Sequence, residues 1–251
     1  MSCLPSSFEV LLWNMQKCNG KKWHADFLRL IANRHLLLLQ EASLTAVNLE
    51  LFDEHEKYFW TMARSFTHIK SKSENGVKTG CRSMPLDSKC FASPSFEPFV
   101  RTHKMLLQTS YHVQGCAHKL LVLNVHALNF SRLGGYKKHL QQIQDSARHH
   151  HGPIILAGDF NTWSKVRYSL RQKMAHELGL SEAVISRKTK ARHFYSHLDH
   201  LFYRGLRLNN IELFKSVTSS DHLPITARFS TNWNKFASGF LLICAPNKID
   251  P

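Results

Sequence analysis

The residues in this chain best able to do chemistry come in short polar groups placed directly after apolar runs. Ile154-Ile155-Leu156-Ala157 is followed by Gly158, and then Asp159 and Asn161 flank Phe160. A carboxylate and a carboxamide one residue apart can serve one hard cation or one water. Leu198-Asp199-His200 and Ser220-Asp221-His222 likewise put carboxylates and imidazoles at the start of apolar runs. His126 ends Leu123-Asn124-Val125-His126, Glu41 follows four leucines and Gln40, and Asn14 follows Leu11-Leu12-Trp13. Each placement has a plainer alternative. Gly-Asp-x-Asn can be an Asx turn capping the next helix, Glu41 a helix-start residue with solvent access, and His126 a buried, satisfied histidine. The full set is Asn14, Glu41, His126, Asp159, Asn161, Asp199, Asp221 and His222. All lie where apolar runs begin or end, which caps and turns alone explain poorly.

The elements that must position these groups follow from periodicity. Phe8 to Trp13, Leu36 to Leu39, Met105 to Val113, His118 to Val125, Ile154 to Ala157, Leu198 to Tyr203 and Leu223 to Phe229 are predicted strands. Helical spacing appears at Phe27, Leu30 and Ile31, and residues Leu44 to Tyr58 are also predicted helical. It recurs at Tyr136, Leu140, Ile143 and Ala147 after Gly134-Gly135. A last helix carries Val166, Leu170, Met174 and Leu178, capped by Thr162 or Ser164. The polar, basic stretch from Thr67 to Pro98 is expected to form short strands and loops. Strands and helices alternate, and ligands bind at strand ends in such α/β sheets.

Length and composition bound the reading. The 251 residues are 43% hydrophobic, enough for one core, so a single domain over 1–251 is expected, with its core at about 8–229 and a tail at 231–251. No internal repeat is evident. Lys and Arg total 33 against 18 acids, a formal charge of +15, which favours anionic partners. Six scattered cysteines without zinc spacing suit free thiols in a reducing compartment. No signal peptide and no membrane span is expected, which points to a cytoplasmic protein.

Taken in order, LLWNMQ, LLLLQE, LNVHALNF, LAGDFN, LDHLFYRG and SSDHLP resemble the endonuclease/exonuclease/phosphatase superfamily, the DNase I-like proteins. The likeness runs from about Phe8 to Phe229. NVHALNF, GDFN followed by Trp163-Ser164, and LFYRGL are most similar to its bacterial YafD-type branch. The resemblance implies a four-layer α/β sandwich, two packed, mainly antiparallel β-sheets flanked by helices, with the active site at one rim. It also implies a divalent-metal-dependent phosphodiesterase using Mg²⁺ or Mn²⁺. On matching positions, Glu41 is the expected main metal ligand, with Asn14 and Asp221 close by. Asp159 would orient or deprotonate the attacking water, and Asn161 would assist on the phosphate. His222 would contact the scissile phosphate with Asp199 holding its ring, and His126 would serve as a general acid whose own partner the sequence does not identify. Lys104 is either a phosphate contact or a surface lysine.

The motifs do not choose the substrate, because lipid- and inositol phosphate-cleaving enzymes share them. The charge favours nucleic acid, most readily DNA. Arg187, Lys188 and Lys190, with Arg192, lie before the Asp199 strand, and Lys70, Lys72, Lys78 and Arg82 lie after the Glu41 segment. Basic loops at the rim could track a polyanion backbone. Two alternatives stay open: a nucleic-acid-binding module without catalysis, and a phospholipid-, sphingomyelin- or inositol phosphate-type phosphoesterase. The lipid form needs an apolar surface beside the cleft, for which Phe91, Phe96 and Phe99 are the candidates.

Overall fold

A computed structural model describes residues 3–53, 57–184 and 198–231; within the second helix the side chains of Ala46, Val47 and Asp53 are not described. Twelve strands are described: β1 (Ser7–Asn14), β2 (Leu36–Leu44), β3 (Phe59–Thr67), β4 (Glu74–Cys81), β5 (Asp87–Phe96), β6 (His103–Tyr111), β7 (Leu120–His126), β8 (Ile154–Asp159), β9 (Ser181–Glu182), β10 (Asp199–Arg204), β11 (Leu206–Leu213) and β12 (Ile225–Thr231). Four α-helices accompany them: α1 (Trp23–Ile31), α2 (Ala46–Asp53), α3 (Leu133–Ala147) and α4 (Lys165–Glu177). The strands form two six-stranded sheets, ordered β11-β12-β1-β2-β4-β3 and β5-β6-β7-β8-β10-β9. Pairing is antiparallel except at the centres, where β1 runs parallel to β2 and β7 to β8. Parallel strands need a crossover, and α1 and α3 supply the two.

Each central strand reads as an unbroken apolar run because both of its faces are covered. Val10, Leu12, Leu36 and Leu38 point inward to a core shared with Val122, Ile155, Ala157 and Leu201 of the other sheet. Leu11, Trp13, Leu37 and Leu39 point outward, under Phe27, Leu30, Ile31 and Phe52. Leu121, Leu123, Ile154 and Leu156 do the same beneath Tyr136, Leu140, Ile143 and Met174. The result is the expected sandwich of helices, sheet, sheet and helices.

The two sheets repeat one topology. Each has a parallel β-α-β centre, a following helix and antiparallel strand pair on one side, and a second antiparallel pair on the other, which is the C-terminal β11–β12 in the first sheet and the preceding β5–β6 in the second. The sequence carries no matching repeat, since strand order depends on which edges pair and many apolar sequences satisfy it. A second difference lies at Thr67 to Pro98, which forms two long strands, β4 and β5, in place of short strands and loops. Lys78 sits inside β4, buried with Nζ 4.8 Å from the Phe52 ring centre and 5.1 Å from that of Trp60. Gly134 and Gly135 fall in the first turn of α3 and do not precede it.

Candidate active site

Strand alternation brings the polar groups together. Residues two apart share a face, so Asn14 continues the inward face of Val10 and Leu12. His126 continues that of Val122 and Asn124, Asp159 that of Ile155 and Ala157, and Asp199 precedes inward Leu201. Register sets them at one edge: His126 and Asp199 both lie opposite Asp159, and Asn14 lies opposite Gln40. Just beneath, buried Gln40 donates to Asn124 Oδ1 across the two sheets at 2.6 Å. Asn124 in turn donates to the Lys78 carbonyl and to Thr79 Oγ1, both at 3.1 Å. This polar seam ends the hydrophobic core where the site begins. Gly158 is required for the assembly, because a Cβ there would fall 1.8 Å from the Val125 carbonyl oxygen on β7.

Glu41 reaches the site by another route. Alternation from Leu37 and Leu39 would send it outward, but the β2–β4 register shifts between Leu39 and Ala42, and Glu41 has φ +50°. This bulge re-aims the side chain, leaving Oε1 3.8 Å from His126 Nε2. Asp159 Oδ2 is 3.5 Å from the same nitrogen, accepts from Asn14 Nδ2 at 3.1 Å, and lies 4.0 Å from His222 Nε2. Asp159 Oδ1 accepts from the Asn161 backbone N–H at 2.9 Å, and Asn161, also at φ +50°, donates from Nδ2 to the Ala127 carbonyl at 2.9 Å. The Asx turn is therefore real, and it sits inside the site. His222 Nδ1 and Asp199 Oδ2 are 2.6 Å apart, both groups buried.

Protonation follows from these neighbours. Burial, then the charge of Asp199, pushes the Asp159 carboxyl up to about 7. Burial opposes a charge on His222, but Asp199, with Asp159 and Asp221 behind it, prevails and pushes the ring up to about 10. Burial, then Lys104, holds His126 well below its ordinary value. Lys104 is thus a site residue and not a surface lysine: its Nζ is 2.8 Å from His126 Nε2, and burial depresses its own pKa against the pull of Glu41 and Asp159. No carboxylate closer than Asp159 and Glu41 accompanies His126 among the described residues, so its partners are those two acids and Lys104.

Asp221 stands apart. It is exposed, its backbone N–H donates to Gln16 Oε1 at 3.3 Å, and it reaches the rest of the site through its charge on His222. Arg187, Lys188, Lys190 and Arg192 lie outside the described residues. Lys70 and Lys72 are exposed on the β3–β4 turn, and Lys70 lines the cleft. Lys78 is buried, and Arg82 donates to the Ala32 carbonyl at 2.8 Å, so neither borders the site.

Sequence reasoning missed the residues that hold the loops. Buried Arg167, on α4, donates to the carbonyls of Leu128 at 2.5 Å, Ser131 at 3.0 Å and Asn161 at 3.4 Å, tying the loops after β7 and β8 together. Buried Glu97 accepts from the backbone N–H groups of Asn129 and Phe130 at 2.5 and 2.9 Å. Glu182 and Thr162 flank His200, at 2.7 Å from Nδ1 and 2.8 Å from Nε2. Ser164, not Thr162, caps α4. A lone arginine in a helix or an acid after a strand carries no signal for such roles until the loops are in place.

The donor set suits a hard cation. Glu41 accepts no hydrogen bond among the described residues and lies 3.8 Å from His126, on which Asp159 and its partner Asn14 also converge, so the site offers carboxylate and amide oxygens. Asp159, Asp199 and His222 also cluster within 4.8 Å. Yet Nδ1 of His222 is engaged by Asp199 and the ring is held protonated, which leaves it no lone pair for a metal.

A cleft of about 970 Å³ leads away from Glu41, Lys104 and His126, along a wall of Phe66, Ile69, Phe99, Val100 and Phe130. Phe99 is 83% exposed; Phe91 faces the α3 side of the core and Phe96 is half exposed. Of the exposed aromatic residues along the cleft, Phe99 stands with Phe130.

This arrangement has relatives. A UPF0294 protein of Klebsiella pneumoniae (strain 342) is 34% identical over 222 residues, spanning 88% of this chain and 81% of the relative. Among solved structures, an endonuclease/exonuclease/phosphatase from Beutenbergia cavernae superposes with a TM-score of 0.68 at 17% identity, covering 90% of this chain and 72% of that one. The human Nocturnin catalytic domain, solved with a bound sulfate anion, gives 0.65 at 17% identity, covering 92% and 96%. At that identity the structures establish the fold alone, and it is the expected DNase I-like one. The sequence profile of the Endonuclease/Exonuclease/phosphatase family matches residues 11–222, a span that holds Asn14, Glu41, His126, Asp159, Asn161, Asp199 and His222, and the chain belongs to that family.

Proposed function

We propose that this chain is a divalent-metal-dependent phosphodiesterase. The observation that carries the reading is the buried Asp199–His222 pair set against Asp159, with Glu41, Asp159 and Lys104 converging on His126. A phosphodiester is anionic and resists attack, so its site must neutralise charge and aim a water in line. Glu41, Asn14, Asp159 and Asp221 are the set that would hold Mg²⁺ or Mn²⁺. Such an ion supplies charge neutralisation and Lewis acidity when bound.

The chain's own residues do the rest. His222, kept as an imidazolium by Asp199, donates from Nε2 to a non-bridging phosphate oxygen. Asp159, raised to about 7 in the metal-free site by burial and then Asp199, can as the carboxylate take a proton from the attacking water. Asn161 holds the Asp159 carboxylate through its backbone N–H. Lys104 adds a positive charge toward the same phosphate and, with burial, keeps His126 neutral, its Nζ 2.8 Å from His126 Nε2.

Nucleic acid is the substrate that the +15 charge favours. One specific observation favours a phospholipid instead: the exposed apolar wall of the cleft. Purified protein with Mg²⁺ or Mn²⁺ is to be tested against plasmid DNA, single-stranded DNA, RNA, sphingomyelin, glycerophospholipids and inositol phosphates. Turnover should vanish with chelator and in Glu41→Ala, Asp159→Ala and His222→Ala. Wild-type turnover retained by those three variants on a responsive substrate would overturn the reading.

A further inference from the structure

The wall of the cleft is built from loop tips, and their composition is unusual for a solvated surface. Ile69 on the β3–β4 turn is 84% exposed, Phe99 and Val100 on the β5–β6 turn 83% and 66%, and Phe130 after β7 63%. Trp163 after β8 is half exposed and joins this group, donating from Nε1 to Asn129 Oδ1. Phe99 and Phe130 meet edge to face with centroids 5.9 Å apart, so two loops share one apolar crest. An exposed, contiguous apolar patch marks a binding surface.

The charges around the crest are of one sign. Lys70, Lys72, Arg101, Arg132 and Lys165 are exposed on these same four loops. The acids at their edges are engaged: Glu97 is buried on backbone N–H groups, and Glu74, the first residue of β4, is paired with Arg64 at 2.6 Å. Apolar tips flanked by Lys and Arg match the two parts of an anionic bilayer interface, acyl boundary and headgroup charge. Ile69 and Val100 have no planar face on which a base could stack, which separates this surface from an aromatic platform for single-stranded nucleic acid. A second copy of the chain is disfavoured by the repulsion of two like-charged, basic surfaces.

We propose that these four loops dock the protein on an anionic phospholipid surface, with the catalytic cleft opening between them onto the headgroups. The docking rests on the phosphodiesterase reading for what the cleft then does, but not for the surface itself.

The test separates the two. Asp159→Ala full-length protein, which turns nothing over, is sedimented with phosphatidylcholine–phosphatidylserine vesicles and with pure phosphatidylcholine vesicles. It should bind the mixed vesicles and release them as salt rises. Adding Ile69→Ser and Phe99→Ser should weaken that binding by on the order of tenfold or more, as burying such side chains is worth at least that. Both positions are so exposed that the thermal midpoint should not move. The proposal is overturned if the protein ignores mixed vesicles, or binds them equally with the serine substitutions. It is also overturned if those substitutions abolish binding of a single-stranded oligonucleotide and spare the vesicles. If instead the wild type docks as expected but hydrolyses no phosphodiester, the docking stands and the catalytic reading falls.

Discussion

Replacing Asp199 by asparagine keeps the shape of the site and removes the charge that holds His222. The two groups are 2.6 Å apart and the ring side chain is 8% exposed, so solvent screens them little. The His222 pKa stands at about 10 against an ordinary 6.5, roughly 3.5 units, or on the order of 4–5 kcal/mol of preference for the imidazolium. In Asp199→Asn the burial penalty remains, opposed only by Asp159 and Asp221, and the pKa should return to about 6.5 or below. At pH 8 the ring is then protonated in roughly 99% of wild-type molecules and about 3% of variant molecules, a loss of about thirtyfold. Proton NMR titration of the metal-free protein measures both values directly. The rate profile should follow, with kcat/KM of the variant declining above about pH 6.5 where the wild type holds to about 10. Stability gives a second readout. A folded pKa raised above the unfolded one stabilises fully below about 6.5, and this is lost as pH rises to about 10. Denaturant unfolding of the wild type should therefore weaken across that window by a few kcal/mol more than that of the variant. If His222 in the variant titrates within about one unit (1.36 kcal/mol) of wild type, Asp199 is not what holds the charge, and the reasoning fails.

Three further outcomes are expected. Asp159, raised to about 7 by burial and Asp199, must lose its proton to meet a cation, so Mg²⁺ affinity should rise with pH up to about 7 and level off above it; calorimetry showing a flat affinity from acid to neutral pH would contradict this. Arg167→Ala strips the donors from the Leu128, Ser131 and Asn161 carbonyls, and should cost about 3 kcal/mol in chemical denaturation together with a lower kcat, partly restored by Arg167→Lys; an unchanged denaturation midpoint would remove the clamp. Lys104→Met should reduce kcat/KM on the order of a hundredfold and raise the His126 pKa, because Lys104 is, after burial, what depresses it; a His126 resonance that titrates as in wild type would place the lysine elsewhere.

The chain's own residues determined the layers and most of the site. Unbroken runs such as Leu36 to Leu39 and Ile154 to Ala157 can only be strands covered on both faces, and polar residues that end them must lie at a rim. Alternation then sets Asn14, His126, Asp159 and Asp199 inward, because side-chain direction in a strand depends on sequence parity alone. Glu41 breaks that parity. Its direction comes from a bulge in the β2–β4 ladder, which forms only when a distant strand pairs out of step. Lys104 could not be told from a surface lysine until β6 lay beside β7 and set its ammonium against His126. The Arg167 clamp, the Glu97 brace and the Glu182–His200–Thr162 chain likewise join residues whose separation along the chain carries no period. The basic count was plain in the composition, but its placement was not. Lys78 went into the core under two aromatic rings, while Ile69, Phe99 and Phe130 stand in solvent. Hydrophobicity fixes where a side chain would be most stable; only the closed sheets decide which apolar residues are left on loop tips with nothing to cover them.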